Sequence, residues 1–359
     1  MLPSVRVKPS QFLQKDDVLI CAGSGSKEHI GKVAYVKSNT NYAFGGFMAV
    51  IRTKNPEILL PRFIFHILTS INFREHIKKA INSTTINNLN TQVMASFKIP
   101  LPPLAVQREI VGILDLFTGL TAELTAELTA ELELRKKQYA YYREVLLSFD
   151  EKSPSVIKEM TKRICPNGIE YKTLGEAFTR IRGTPITAMK MKEIANPDGD
   201  IRIFAGGKTV IDAFEKDIPK ANITTVPAVL VQSRGIVDFV FYEKPFTFKN
   251  EMWAYTTNEK ITVKFLYYVL KNNVDYFRSL TTKMGAFPQI SLKDTETFKI
   301  PLPPLEIQHK VVEILDKFDT LTTSLTEGIP AEIEARRKQY HYYRNKLLSF
   351  KELAPSPKE

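Results

Sequence analysis

Residues Phe97 to Phe149 recur 201 positions later as Phe298 to Phe350. Aligned without a gap, the two copies share 32 of 53 residues; both open with FKIPLPPL, and they close with RKKQYAYYREVLLSF and RRKQYHYYRNKLLSF. A repeat this long and this widely spaced is a duplicated module rather than a short-period solenoid. Any fold must therefore accommodate two equivalent copies within one chain.

Each copy begins extended, because Pro102 and Pro103 hold the backbone of PLPPL out of helix. From about Ala105 the pattern turns helical: Ile110, Leu114, Phe117, Leu120, Leu124, Leu128, Leu132, Tyr139, Tyr142 and Leu146 recur at helical spacing, with three TAEL units at Thr121 to Leu132. Only Gly112 and Gly119 weaken the run, each by about 1 kcal/mol relative to Ala. A helix of roughly 40 residues is about 60 Å long. It needs a partner along its apolar stripe. The second copy offers one, with Val311, Leu315, Phe318, Leu321, Leu325, Ile333, Tyr340, Tyr343 and Leu347 at matching positions. It departs at Gly328 to Pro330, where an interior Pro costs about 3 kcal/mol, so a break is expected near residue 328.

The expected class is α+β: two mixed α/β domains separated by two long helices that pair as an antiparallel coiled coil. The domain boundaries fall at 1–96, 97–149 for the first helical repeat, 150–162 for a polar linker, 163–297, 298–350 for the second repeat, and 351–359 for a tail. In the first domain KDDVLICAG, KVAYV and GGFMAVIR read as strands, PRFIFHILTSINFREHIKKAI as a helix and NSTTINNLN as a loop. In the second, IRIFAGG, AVLVQSRG, VDFVFYEKPFTF and EMWAYTT read as strands and VKFLYYVLKNNVDYFRSL as a helix.

The two domains are related. DVLI matches AVLV, PRFIFHIL matches VKFLYYVL, NFRE matches YFRS, and TTINNLN stands where GAFPQIS stands, all in the same order. AVLV begins about 65 residues into its domain, whereas DVLI begins at Asp17, so the first domain has about 50 fewer residues ahead of the shared part.

The net charge of +11 is unevenly spread. Residues 1–96 carry +7 and residues 163–297 carry +4, while the repeats carry −1 and +1. Basic excess confined to the domains is the footprint of a polyanion partner, and near-neutral repeats fit contact with protein. No run approaches the roughly 20 apolar residues of a membrane span, and the N-terminus lacks a signal-peptide block, so a cytoplasmic location is expected. Two cysteines, Cys21 and Cys165, make no disulfide framework or zinc site and are expected to be buried thiols.

Catalytic motifs fail on inspection. GGKT at Gly206 to Thr209 resembles the end of a phosphate loop, but the pattern needs Gly where Arg202 stands. Asn196-Pro197-Asp198-Gly199 and Phe204-Ala205-Gly206-Gly207 read as turns. The acid-x-Lys triplets Asp150-Glu151-Lys152 and Glu170-Tyr171-Lys172 lack an upstream acidic partner for a metal nuclease. Recognition remains. Lys27, His29, Lys32, Lys37, Asn39, Asn41 and Arg52 in the first domain lie in or beside Gly-rich or turn-like stretches. So do Arg180, Arg182, Lys190, Lys192, Arg202, Lys208, Gln232, Arg234, Lys249 and Asn250 in the second. These side-chain types hold phosphates and read base edges.

With its two PLPPL-x-x-Q-(R/H) starts, at Pro100 to Arg108 and Pro301 to His309, its alternation of domain and repeat, and its TAEL units, the chain resembles the specificity (S) subunit of type I restriction-modification enzymes over nearly its whole length. The resemblance implies two target-recognition domains, each reading one half of a split, asymmetric site in double-stranded DNA, and no active site in this chain. It also implies two modification (M) subunits as partners, with restriction (R) subunits and a second S chain as further candidates. No cofactor is implied in this chain; S-adenosylmethionine, ATP and Mg belong to the partner subunits. Two other readings stay open: a basic coiled-coil nucleic-acid-binding or scaffold protein without sequence specificity, and an inactive allele with a truncated first domain.

Overall fold

The structure is a computed structural model describing residues 7–82, 89–207, 209–281 and 288–351. In chain order the elements are β1 (Val18–Cys21), β2 (Val33–Tyr35), β3 (Met48–Ile51), α1 (Pro61–Thr69), α2 (Ile71–Asn82), α3 (Thr91–Ser96), α4 (Leu104–Ser148), α5 (Ser155–Ile164), β4 (Glu170–Thr173), α6 (Leu174–Ala177), β5 (Thr179–Arg182) and α7 (Ala188–Ile194). There follow β6 (Ile201–Phe204), β7 (Val210–Ala213), β8 (Ala228–Gln232), β9 (Asp238–Tyr242), β10 (Phe246–Phe248), β11 (Trp253–Thr256), α8 (Lys260–Asn272), α9 (Val274–Ser279), α10 (Leu292–Glu296), β12 (Lys299–Leu302), α11 (Leu305–Thr323) and α12 (Ile329–Leu347). The chain forms two compact units, residues 1–130 with 331–359, and residues 131–330.

The first unit is built on an antiparallel sheet of order β2-β1-β3, in which Val18 faces Tyr35 and Ile51 across the two ladders. Alternation on β1 sends Val18 and Ile20 into a core with Ile64, Leu68, Phe73 and Ile77 of the helices. The opposite stripe of α1, Phe63 and Ile67, packs on Ile110 and Leu114 of α4 and on Leu348. One amphipathic helix thus joins two cores. Its expected continuation into α2 is interrupted at Ser70, which is extended (φ −68°, ψ 163°) and accepts from Phe73 N through Oγ, acting as the cap of α2. The expected loop 82–90 lies mostly outside the described residues.

The second unit holds a four-stranded antiparallel sheet, β5-β11-β8-β9, and a three-stranded sheet, β10-β6-β7, with β10 parallel to β6. β8 is buried throughout because it is covered twice. Val229 and Val231 face α8, α9, α11 and the end of α4, whereas Leu230 and Ala254 meet Phe204, Phe246 and Phe248 of the other sheet. The register reproduces the first unit: Val229 faces Phe241 and Tyr255 as Val18 faces Tyr35 and Ile51. The single expected helix after β11 is again two, α8 and α9, parted at Asn273. Within the expected linker, Ser155–Ile164 form α5, and Ile157 joins the core.

The long helix appears as expected, 45 residues from Leu104 to Ser148. Its counterpart is broken where Gly328 and Pro330 foretold, α11 ending at Thr323 and α12 starting at Ile329. A Cβ on Gly328 would lie 2.4 Å from Thr320 O and 2.7 Å from Leu321 O, so only glycine lets the chain fold back this closely. The Gln of each PLPPL-x-x-Q start is a buried clamp: Gln107 donates to Pro102 O (2.8 Å) and Ile58 O (2.9 Å) and accepts from Leu60 N, and Gln308 donates to Pro303 O (2.7 Å).

Helix pairing runs antiparallel in the first unit, where Phe117 meets Tyr343 (6.1 Å between rings) and Thr118 Oγ1 lies 2.9 Å from Tyr340 Oη. In the second unit Tyr139 and Tyr142 of α4 stack on Phe318 of α11. Each repeat therefore closes the domain that precedes the other repeat: Leu146 and Leu147 enter the second-unit core, and Leu348 enters the first. Cys21 and Cys165, expected to be buried, are free thiols of intermediate exposure.

Candidate nucleic-acid interface

In the second unit three turns gather the candidate residues. The β6–β7 turn carries Gly206 and Gly207, the β8–β9 turn carries Gln232 to Gly235, and the β10–β11 turn carries Lys249 to Glu251. Gln232, 8% exposed, donates to Gly207 O (2.9 Å), and Ser233 Oγ donates to Glu251 O (2.9 Å). Gly207 and Gly235 have φ of 69° and 81°, the left-handed backbone such tight turns require. This knit leaves Arg234 exposed on a braced turn whose backbone bridges to Gln289. Lys249 is held by Glu251 at 2.8 Å. Lys208 lies outside the described residues.

β5 supplies Arg180 and Arg182 at the edge of the four-stranded sheet. Arg180 pairs with Glu296 at 3.0 Å, whereas Arg182 is exposed and its carbonyl accepts from Asn222. A Cβ on Gly183 would meet Phe248 O at 2.3 Å, which brings the end of β5 against the segment leading to Lys249. On α7, Lys190 pairs with Glu193 at 3.0 Å and Lys192 is exposed. Arg202 forms a bidentate pair with Asp212 (2.9 and 3.0 Å), which raises its own pKa and lowers that of the carboxyl, so it braces the β6–β7 hairpin.

The first unit sorts its candidates differently. Arg52 is a structural clamp: it bonds both oxygens of Asp17 (2.7 and 3.0 Å), a carboxylate 2% exposed, and also Phe12 O (3.0 Å). Asn39 spends its side-chain oxygen on Lys15 N (2.8 Å). Lys37 is exposed beyond β2. Lys27 and Lys32 come together on one cavity with Arg74, Lys78 and Arg344. Those last three are absent from the sequence-based set, because Arg344 belongs to the near-neutral repeat and Arg74 and Lys78 sit in a helix without Gly-rich neighbours.

The packing of each domain against its helices is polar at equivalent places. Arg62 and His66 bind Asp115 (both 2.8 Å through Nε and Nε2), and at the matching positions Lys264 and Tyr268 bind Asp316. Burial pushes His66 below the ordinary imidazole value despite the Asp115 bond, and pushes the Tyr268 hydroxyl up. Arg62 lies over Tyr35 and Lys264 over Phe241, each 4.5 Å from the ring centre. Among the described residues no group of three or more His, Cys, Asp or Glu could hold a metal ion, and no helix is long and apolar enough to cross a membrane.

Two sheet cores of one register, each closed by a repeat helix, define a duplicated recognition scaffold. The family model of the type I restriction modification DNA specificity domain matches residues 8–134 and again 166–335. The chain belongs to the family of type I restriction-modification specificity subunits. It is 39% identical over 276 residues to the Escherichia coli EcoR124I/EcoR124II specificity subunit, covering 70% of this chain and 63% of that one. To a putative Haemophilus influenzae type I specificity subunit it is 33% identical over 347 residues, 89% of this chain and 81% of the relative. The fold is shared with the S subunit from M. genitalium (TM-score 0.53, 20% identity, covering 96% of this chain and 86% of that one). It is also shared with a chain from a type I R-M assembly (TM-score 0.61, 18% identity, 95% and 84%).

Proposed function

We propose that this chain is the non-catalytic DNA-recognition subunit of a type I restriction-modification system. It reads a bipartite, asymmetric duplex site, one half per domain, and positions two modification subunits that use S-adenosylmethionine, with restriction subunits using ATP and Mg joining in the cytoplasm. The observation that carries this reading is the paired sheet core: one register, two different sets of exposed turn residues, and a shared helical connection between them. Four helical residues span about 6 Å, near two base-pair steps of about 3.4 Å, so the TAEL count acts as a gauge of half-site spacing.

The test is co-expression with a cognate modification subunit and mapping of methylated adenines. A defined split motif supports the reading; methylation without a sequence motif ends it and favours a scaffold that binds through charge alone. Deleting Thr125 to Leu128 should change the permitted spacer and leave both half-sites unchanged.

A further inference from the structure

A cavity of about 760 Å³ opens in the first unit between the β1–β2 loop, α2 and the end of α12. Its floor is apolar, formed by the buried side chains Ile30, Phe73 and Ile77. Its charge is one-sided, five cations against the single acid Glu28. Arg344 is the deepest anomaly. It is 5% exposed, and its Nε has no hydrogen-bond partner. Burial and the neighbouring cation Arg74 hold its pKa below the ordinary guanidinium value, against the opposing effect of Tyr340. A buried guanidinium facing another cation is strongly unfavourable unless an anion completes it.

The second unit shows what the position lacks. Arg143, the repeat counterpart of Arg344, bonds Asn272, and two acids, Asp238 and Asp319, raise the pKa of Tyr267 where Arg143 lowers it, Asp238 being held by Lys271 at 2.6 Å. By register Asp238 stands where the first unit has Lys32, and by repeat alignment Asp319 stands where it has Thr118. The second domain thus places two carboxylates near the arginine's surroundings, and the first has Lys32 and Thr118 at those two places.

We propose that this cavity binds an organic phosphate of mononucleotide size, with the phosphate on Arg344, Arg74 and Lys78 and the apolar part on Phe73 and Ile77. The volume lies within the roughly 300–1,000 Å³ of small-molecule sites. A phosphate monoester carries about −1.5 to −2 charges, which suits five cations better than one carboxylate does. The guanidinium fork matches phosphate geometry. These cations surround a cavity rather than a ridge, so a small phosphate that enters it is better suited to them than the backbone of a duplex crossing the surface.

The proposal is independent of the DNA-recognition reading and is tested on the full chain without modification subunits. Isothermal titration with AMP at fixed ionic strength should give one saturable site, with adenosine and inorganic phosphate each binding at least about tenfold more weakly. The double variant Arg74→Ala/Lys78→Ala, on the exposed rim, should weaken AMP by about tenfold or more while leaving the melting temperature of the free protein unchanged. Arg344→Gln should abolish binding, and the rim variant keeps the test decisive where that buried change unfolds the protein. Absence of saturable heat with AMP, or unchanged AMP affinity in the rim variant, overturns the proposal. It is equally overturned if the rim variant binds AMP normally and loses only sequence-independent duplex affinity with a shallower salt dependence, because the cations then serve the DNA surface.

Discussion

The two recognition domains share a three-stranded core and differ in what covers it. In the second, β8 lies between α8 on one face and the β10-β6-β7 sheet on the other, and β11 gains the edge partner β5. In the first, among the described residues, the corresponding β1 is covered on the helix face alone and β3 is an edge strand. The same lack is visible at the repeat starts. Lys299–Leu302 form β12 against β4, whereas the identical sequence at Lys98–Leu101 is coil. Identical residues thus become strand or coil according to whether a partner strand exists, so the ladder here is a tertiary property.

The largest test of this contrast is truncation of the central strand. Leu230→Ala should cost about 3–4 kcal/mol and Leu19→Ala only about 1 kcal/mol, read from urea unfolding followed by circular dichroism. Equal costs would mean that the outer face of the first sheet is covered too. Next comes Arg52→Ala, which leaves buried Asp17 without its cation, bonded to Gln14 N, and should cost about 2–3 kcal/mol. Arg234→Ala should leave stability within about 0.5 kcal/mol and shallow the salt dependence of DNA binding by about one. If Arg52→Ala instead altered that salt dependence, the clamp would also be a DNA contact.

A smaller effect separates the domains by pH. His66 has its folded pKa lowered by burial, so its contribution is complete above the unfolded value of about 6.5 and is lost as pH falls below it. Tyr268, at the same place in the second domain, is neutral throughout this range. Melting of the wild type should therefore fall between pH about 7 and about 5 more steeply than that of His66→Tyr. The smallest change is Lys32→Asp, which restores the second domain's acid and should stabilise by about 0.5 kcal/mol or less at this exposed position.

The architecture was legible because its signals are local and strong. The α4 run has helical periodicity and no Pro, and its counterpart announces its break with Gly328 and Pro330. Ser70 announced nothing, since an extended serine inside an apolar run reads as helix until the cap geometry is seen. Among the candidate residues, charge in turn-like stretches selected Arg182 and Arg234, which are exposed. It also selected Arg52 and Asn39, whose partners Asp17 and Lys15 are set by the fold. The cavity was invisible because Arg344 and Arg74 are 270 positions apart, and Arg344 sits in a repeat whose charges nearly cancel.

The reciprocal closure of each domain by the other repeat has a kinetic meaning. The second unit is one uninterrupted stretch, residues 131–330, and all its core contacts are available once that stretch has left the ribosome. The first precedes it in the chain yet needs Leu348 for its helix-side core and Asn345 to bind Ile71 N, a closure over 274 residues. Such distant contacts form slowly and late, so of the two domains the one synthesised earlier finishes folding later. Until Leu348 emerges, Phe63 and Ile67 have Ile110 and Leu114 to rest on but not the last side chain of their cluster.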